Sequence, residues 1–352
     1  MKICDGLMIG SVAIVLLNLA GCVAPPATTT TTSVVAAKSA EATKLRRIAV
    51  LPFGIKDGID ITPEVETLLT GVLVNDQPFF TVVERNRIKD LLREMKLAES
   101  GALDPTTVSK LGKMAGASGV YMGAVTRNSV RDERYKESRF RCDQYEQKRD
   151  KKGNPYQGKC LRPVEYTVDC VQRIADFAFN PKLVDVQAGT IKYSKEATGS
   201  TQSKACPDHA AGNVAATQLL HDARKLALQS FRQDVAPHTA RFVIVVQEAA
   251  EGINSTAARE KFVSAIAFAK GNRLDRACEI WDEIVPSEDR SPSLHYNHGV
   301  CAEAAGELDI AMARYTKADR LLTKPEKAIS EALARVRQLQ SGKSKLQQQI
   351  SN

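Results

Sequence analysis

Ala277, Trp281 and Ile284 recur as Ala311, Tyr315 and Ala318, each pair 34 residues apart. A stack of helix pairs imposes such a period, because one pair cannot bury its apolar stripe alone and must repeat it for the next pair to cover. The second copy, SLHYNHGVCAEAAGELDIAMARYTKADRLLTKP, places Gly299 where two helices approach closely, Gly306 at the turn and Pro325 at the end. The first, EKFVSAIAFAKGNRLDRACEIWDEIVPSEDRSP, fits with one extra residue at its turn. Two copies are fewer than normally stand alone, so the following helix, PEKAISEALARVRQLQ, is expected to cap them. An all-α domain over 256–342 results, with 343–352 read as a disordered tail.

The other end of the chain sets the compartment. Lys2 precedes the apolar run GLMIGSVAIVLLNLAG, which is too short and too early for a mature membrane span and reads as a secretory signal over 1–21. Leu19-Ala20-Gly21-Cys22 resembles the bacterial lipobox, which implies cleavage before Cys22 and acylation of its thiol and amine. Each buried methylene is worth about 0.8 kcal/mol, so several acyl chains make a stable anchor. Val23 stands where an Asp would resemble an inner-membrane retention signal, which favours the periplasmic face of the outer membrane. Pro25, Pro26, the threonine run and the small residues beyond read as a disordered, lipidated tether over 22–43.

Six cysteines remain after Cys4 and Cys22: Cys142, Cys160, Cys170, Cys206, Cys278 and Cys301. An even number in an oxidising compartment points to disulfides, in any of fifteen connectivities. Cys142 and Cys160 flank the turn-rich GNPYQG and suit a staple across a polar hairpin, leaving Cys170 to reach Cys206. Cys278 and Cys301 fall on helices that pack side by side, as a disulfide or as buried thiols. The absence of C-x-x-C removes the usual signal for zinc ribbons and thioredoxin-type chemistry.

Between these ends the periodicity changes. RRIAVLPFG has the length and apolar run of a strand, PEVETLLTGVLV has helical spacing with Thr62 as N-cap and Pro63 at the first helical position, and FFTVV is a second strand. Asn86 is expected to cap a helix carrying Ile88, Leu91, Leu92 and Met95; Asp104 caps another that closes near Gly116, before a strand over Gly119–Thr126. This βαβαβ order predicts an α/β (α+β) domain over 44–247, with helices packed on a mixed sheet. Residues 127–162 carry twelve Lys/Arg against six Asp/Glu, or +6 of the chain's net +8. In an exported protein this basic insertion faces anionic lipid, peptidoglycan or a protein partner, or is a solvated hairpin; nucleic acid is not expected. EYTVDCVQRIADFAFNPKLVDVQAGTIKYSKEATG then reads as two long strands about a turn near Ala188-Gly189. A helix from about Ala210 to Gln233 follows, with Leu219, Leu220, Ala223, Leu226, Ala227 and Phe231 as its buried stripe, and Arg241–Val246 as a last strand returning to the sheet.

IAVLPF, FTVVERNRIKDLLREMKLAESG and LVDVQAGTI resemble the CsgG/HfaB family of outer-membrane lipoproteins, which implies a part in secretion and assembly of curli or related surface structures. The 34-residue copies resemble tetratricopeptide repeats, which implies a groove for protein partners. Two departures from the family stand out. The loop GIKDGIDITPE lacks the Tyr, Asn and Phe of the family's channel constriction. The insertion is also too charged to cross lipid, where each charge facing the bilayer centre costs about 2–4 kcal/mol. The chain therefore reads as an accessory scaffold without its own transmembrane barrel, with a homo-oligomer possible by resemblance. A regulatory adaptor docking on a cell-wall synthase, like the penicillin-binding-protein activator lipoproteins, is the other reading.

Enzymatic signals are missing: no G-x-S-x-G, Walker loop, dinucleotide turn or H-E-x-x-H occurs, and no cofactor or metal is expected. Glu84-Arg85 reads as a surface-capping ion pair. His295 and His298, one helical turn apart, and Tyr296 between them are candidates for a groove wall that binds a partner.

Overall fold

The computed structural model describes residues 27–97, 103–209 and 212–351. They divide into two compact units: the described residues from Ala36 to His238 with those from Lys345 onward, and Thr239–Ser344 with those up to Val35. The signal segment and Cys22 lie outside the described residues.

Of the first elements, β1 (Thr28–Val35) belongs to the helical unit and β2 (Arg47–Val50) to the α/β unit. The α/β unit continues through α1 (Thr62–Thr70), a small antiparallel pair β3 (Leu73–Val74) and β4 (Gln77–Pro78), then β5 (Thr81–Val82), α2 (Arg85–Glu94) and α3 (Pro105–Ala115). Its remaining elements are β6 (Gly119–Arg149), β7 (Pro155–Asp185), β8 (Thr190–Ser194), β9 (Ala197–Ala205) and α4 (Ala216–Val235). The sheet order is β5-β2-β6-β7-β8, with β9 also on β7; β5, β2 and β6 are parallel and the rest antiparallel. Helical crossovers supply the parallel pairs, as the βαβαβ order requires.

Helices cover both faces of this sheet, so its strands alternate between two apolar cores. Ile48, Val50, Tyr121, Phe179 and Leu183 pack with α1 and α4, whereas Ala49, Leu51, Val120, Met122 and Val184 pack with α2 and α3. Phe231 of α4 is the hub of the first core, meeting Tyr121, Phe179 and Tyr193 at ring-centroid distances of 5.5, 5.7 and 6.1 Å. Gly199 lets β9 lie on α4; a Cβ there would stand 2.0 Å from the Ala223 carbonyl oxygen.

Local signals differ from expectation in several places. Asp104 caps α3 as its sequence requires, accepting from the amides of Thr106 and Thr107 at 3.0 and 3.1 Å. Thr62 is the first residue of α1, not its cap: its hydroxyl donates to Asp60 Oδ1 at 2.6 Å and accepts from the Phe53 amide at 2.9 Å. Asn86 does not cap α2, which starts one residue earlier, behind Glu84. Arg85 pairs with Glu66 at 2.5 Å, across to α1, and not with Glu84. α4 starts at Ala216, and Leu226 of its expected stripe is 45% exposed while Leu228 is buried.

The helical unit holds β10 (His238–Val245), α5 (Thr256–Lys270), α6 (Leu274–Ile284), α7 (Pro292–Ala304), α8 (Leu308–Arg320) and most of α9 (Lys327–Ser351). Ser255 and Ser291 cap α5 and α7. Ala277, Trp281, Ile284, Ala311, Tyr315 and Ala318 are all buried. Gly299 admits the Tyr315 ring, which a Cβ would meet at 2.7 Å.

Three expectations about extent are corrected here. Thr28–Val35 is not a disordered tether: β1 pairs with β10, and Thr29 and Thr31 are buried. β-branched threonine favours a pleated, half-buried strand once a partner strand exists. β10 joins that two-stranded sheet, not the six-stranded one, so the boundary falls at 238/239. Residues 343–351 continue α9 and are no loose tail, because the Gln349 side chain accepts from the Ala37 amide at 2.7 Å and donates to its carbonyl at 3.0 Å.

Candidate functional site

The basic insertion is the outer part of one β-hairpin. β6 and β7 pair from Gly119 opposite Asp185 to Arg149 opposite Pro155. Strands of 31 residues at about 3.3 Å per residue reach roughly 100 Å, several times the usual strand length. Sheet and helices support only the base. β9 runs beside β7 as far as Ala205, opposite Val171; outward of that point the described residues form a two-stranded ribbon with both edges open.

A two-stranded ribbon in water is marginal on hydrogen bonds alone. Two disulfides compensate. Cys170–Cys206 ties β7 to the segment leaving β9, and Val168, Tyr135 and Tyr166 pack around it as a small separate core. Arg139 lies over the same face, with Nη1 2.7 Å from His209 Nε2 and 3.5 Å from Asp208 Oδ2, and Nη2 3.4 Å from Glu137 Oε2. Cys142–Cys160 crosses the outer ribbon where the register slips between Cys142 and Gln147. Bulges weaken the ladder there, and the covalent link restores the pairing. Glu137 also stands close to the sulfurs of Cys170 and Cys206. Those sulfurs are bonded to each other, so the three groups do not form a metal-ligand set.

Charge along the ribbon is organised. Near its base, Arg173 holds Asp132 through two bonds of 2.8 Å, and Arg131 pairs with Asp176. Residues 134–162 hold ten Lys/Arg and four Asp/Glu, so the whole excess of +6 lies in the outer part. Each of those four acids is engaged locally. Glu137 pairs with Arg139, Asp143 with Arg141 at 3.2 Å, and Glu146 with Lys148 at 3.1 Å. Asp150 accepts from the amides of Lys152 and Asn154 at the apex, which holds its carboxyl below the usual range. Among the described residues Arg134, Lys136, Arg149, Lys151, Lys152, Lys159 and Arg162 form no ion pair, and all are exposed. Phe140 (72% exposed) and Leu161 (59%) stand among them, with Tyr145 and Tyr156 also exposed. Sequence reading found the charge but not these side chains, whose apolar character only becomes a surface feature once the hairpin is known to have no core outward of the small cluster at Cys170–Cys206.

The helical candidates behave differently from a groove wall. Tyr296 is 1% exposed and packs on Tyr315 at 5.4 Å. His295 is fully buried, with Nε2 3.1 Å from the Asp289 carbonyl oxygen. His298 pairs with Asp282. Burial pushes both imidazoles below their ordinary pKa, and among the described residues neither Nδ1 has a partner. The three residues belong to the packing of α7, and no open face gathers them. Cys278–Cys301 links α6 to α7. Glu303, fully buried, accepts from Arg335 Nε at 2.6 Å, Arg335 Nη2 at 2.8 Å and the Tyr315 hydroxyl at 2.7 Å, joining α7, α8 and α9. No described helix is long and apolar enough to cross a membrane.

Residues 29–135 match the model of a family described as curli production assembly/transport component CsgG. No curated protein matches the chain. Among solved structures, the PelC L103M dodecamer from Paraburkholderia phytofirmans is similar at 14% identity and a TM-score of 0.21, over 59% of this chain and 99% of that one. The family match takes in β1, the parallel half of the sheet with its helices, and β6 outward to Tyr135; the apex of the hairpin and the helical repeats lie beyond it.

Proposed function

We propose that this chain is a non-enzymatic envelope scaffold of CsgG type, held by lipid on Cys22 at the periplasmic face of the outer membrane and acting in secretion or assembly of a surface structure. The match of residues 29–135 to the CsgG family carries this reading. The outer hairpin supports the accessory role: its charge density is incompatible with a lipid-facing strand, where each charge at mid-bilayer costs about 2–4 kcal/mol. The scaffold therefore has no barrel of its own from this hairpin. The helix pairs α5/α6 and α7/α8, capped by α9, act as two tetratricopeptide-like repeats that hold a protein partner; the 34-residue recurrence of buried Ala277, Trp281, Ile284 and Ala311, Tyr315, Ala318 supports that assignment.

Crosslinking in cells with identification of the captured proteins tests the reading. Subunits or secretion components of a surface fibre are the expected catch, with a high-mass species in mild detergent if copies assemble. Capture of a cell-wall synthase by a monomer refutes it in favour of the adaptor. Cys22→Ala is expected to remove the acyl mass and the outer-membrane sedimentation together; outer-membrane retention without the acyl groups overturns the anchor.

A further inference from the structure

We propose that the outer ribbon of the β6–β7 hairpin, residues 134–162, docks peripherally on a phospholipid surface that carries phosphatidylglycerol. Three observations converge. Seven exposed bases of the ribbon have no carboxylate partner among the described residues, while its four acids are each engaged. Phe140 and Leu161 are held out in water among those bases. The ribbon stands clear of β9, with about 15 residues of β6, or roughly 50 Å, outward of the last three-stranded pairing.

The mixture of groups decides between partners. Lys and Arg around an anionic leaflet gain attraction that falls off within about one Debye length, and Phe, Leu and Tyr among them enter the headgroup boundary, where an apolar body is buried and a polar tip stays wet. A polyanion in water satisfies the bases but gives Phe140 and Leu161 nothing to enter. Full insertion is excluded by the same bases. The disulfide Cys142–Cys160 holds this surface in one register, so docking does not have to order it.

The inference is independent of which structure the scaffold helps assemble. It is tested with full-length Cys22→Ala protein, so that acyl groups are absent, by cosedimentation with vesicles of phosphatidylcholine alone and with added phosphatidylglycerol. Binding is expected to rise with the phosphatidylglycerol fraction and to fall with salt. K151Q/K152Q/K159Q is expected to weaken the phosphatidylglycerol-dependent part about hundredfold, at about fivefold per base near an anionic surface, and Phe140→Ser with Leu161→Ser is expected to weaken it with the salt dependence kept. Both variants lie outside the α/β core, and an unchanged thermal transition confirms that they fold. Equal binding to the two vesicle types overturns the proposal, as does parent-like binding by both variants. Binding to peptidoglycan or lipopolysaccharide without binding to phosphatidylglycerol vesicles also overturns it, as does self-association abolished by the same substitutions in place of vesicle binding.

Discussion

At the scale of single residues, the buried charges make the sharpest predictions. Glu303 has no solvent exposure, and its carboxylate depends on Arg335 and Tyr315 for every bond it accepts. Arg335→Ala is expected to cost about 3–5 kcal/mol in denaturant unfolding, because it strands a buried carboxylate. Arg335→Leu with Glu303→Gln should recover most of that loss, since the penalty belongs to the unpaired charge more than to the lost pair. Asp234 sets a pH dependence in the α/β unit. It is almost fully buried, and burial works against its charge, but hydrogen bonds from Lys195 at 2.7 Å and Tyr193 at 3.1 Å outweigh it and hold the carboxyl below its usual pKa. A lowered folded pKa contributes stability that is complete above the unfolded value near 4 and is lost as pH falls through the folded one. Urea midpoints measured from pH 7 down to 3 should drop more steeply for the parent than for Asp234→Asn; equal slopes would show that the carboxylate is not linked to folding.

At the scale of elements, what could be read depended on whether an element has a core to face. The strand IAVLPF and the residues of the 34-residue recurrence record burial, the exposed Asp104 records a local cap, and each takes its expected place. β1 is hidden in a threonine run because its one buried face consists of Thr29 and Thr31, which read as polar. The outer hairpin has no apolar alternation, because no described element covers it beyond the segment 206–209; only its cysteines revealed that two distant segments lie side by side. His295, His298 and Tyr296 looked available because sequence shows helical spacing but not which face the neighbouring helices cover. The hairpin's dependence on its disulfides follows from the same lack of core. Replacing Cys170 and Cys206 by Ser removes a link across 36 residues and should lower stability by about 3–4 kcal/mol on the chain-entropy account. Hydrogen exchange should rise in the ribbon from Tyr135 outward while the base of β6 at Val120–Met122 stays protected. Loss of protection at the base instead would mean that the hairpin and the α/β core unfold as one.

At the scale of the whole molecule, the two units are not consecutive pieces of chain. The polypeptide leaves the helical unit after Val35, builds the α/β unit, returns at Thr239 and ends its last helix with residues assigned to the α/β unit. Each unit therefore takes an essential segment from far along the sequence, which raises the entropic cost of closing it and delays its completion until that distant segment has been made. Deleting residues 345–352 tests this. The deletion removes Gln349, which satisfies both the amide and the carbonyl of Ala37, and whose own carbonyl accepts from Arg46. Ala37 is 6% exposed, so its backbone groups would be left without protein partners away from water. Each unsatisfied buried group costs about 1–3 kcal/mol, so the truncated chain should lose about 2–6 kcal/mol for the two groups in a transition reported by the α/β unit, although the deleted residues follow the helical repeats. The only tryptophan, Trp281, is buried in the helical unit, so its fluorescence reports that unit separately. A truncation that shifts the fluorescence transition and leaves the far-UV signal of the sheet unchanged would assign the last helical turns to the repeats instead.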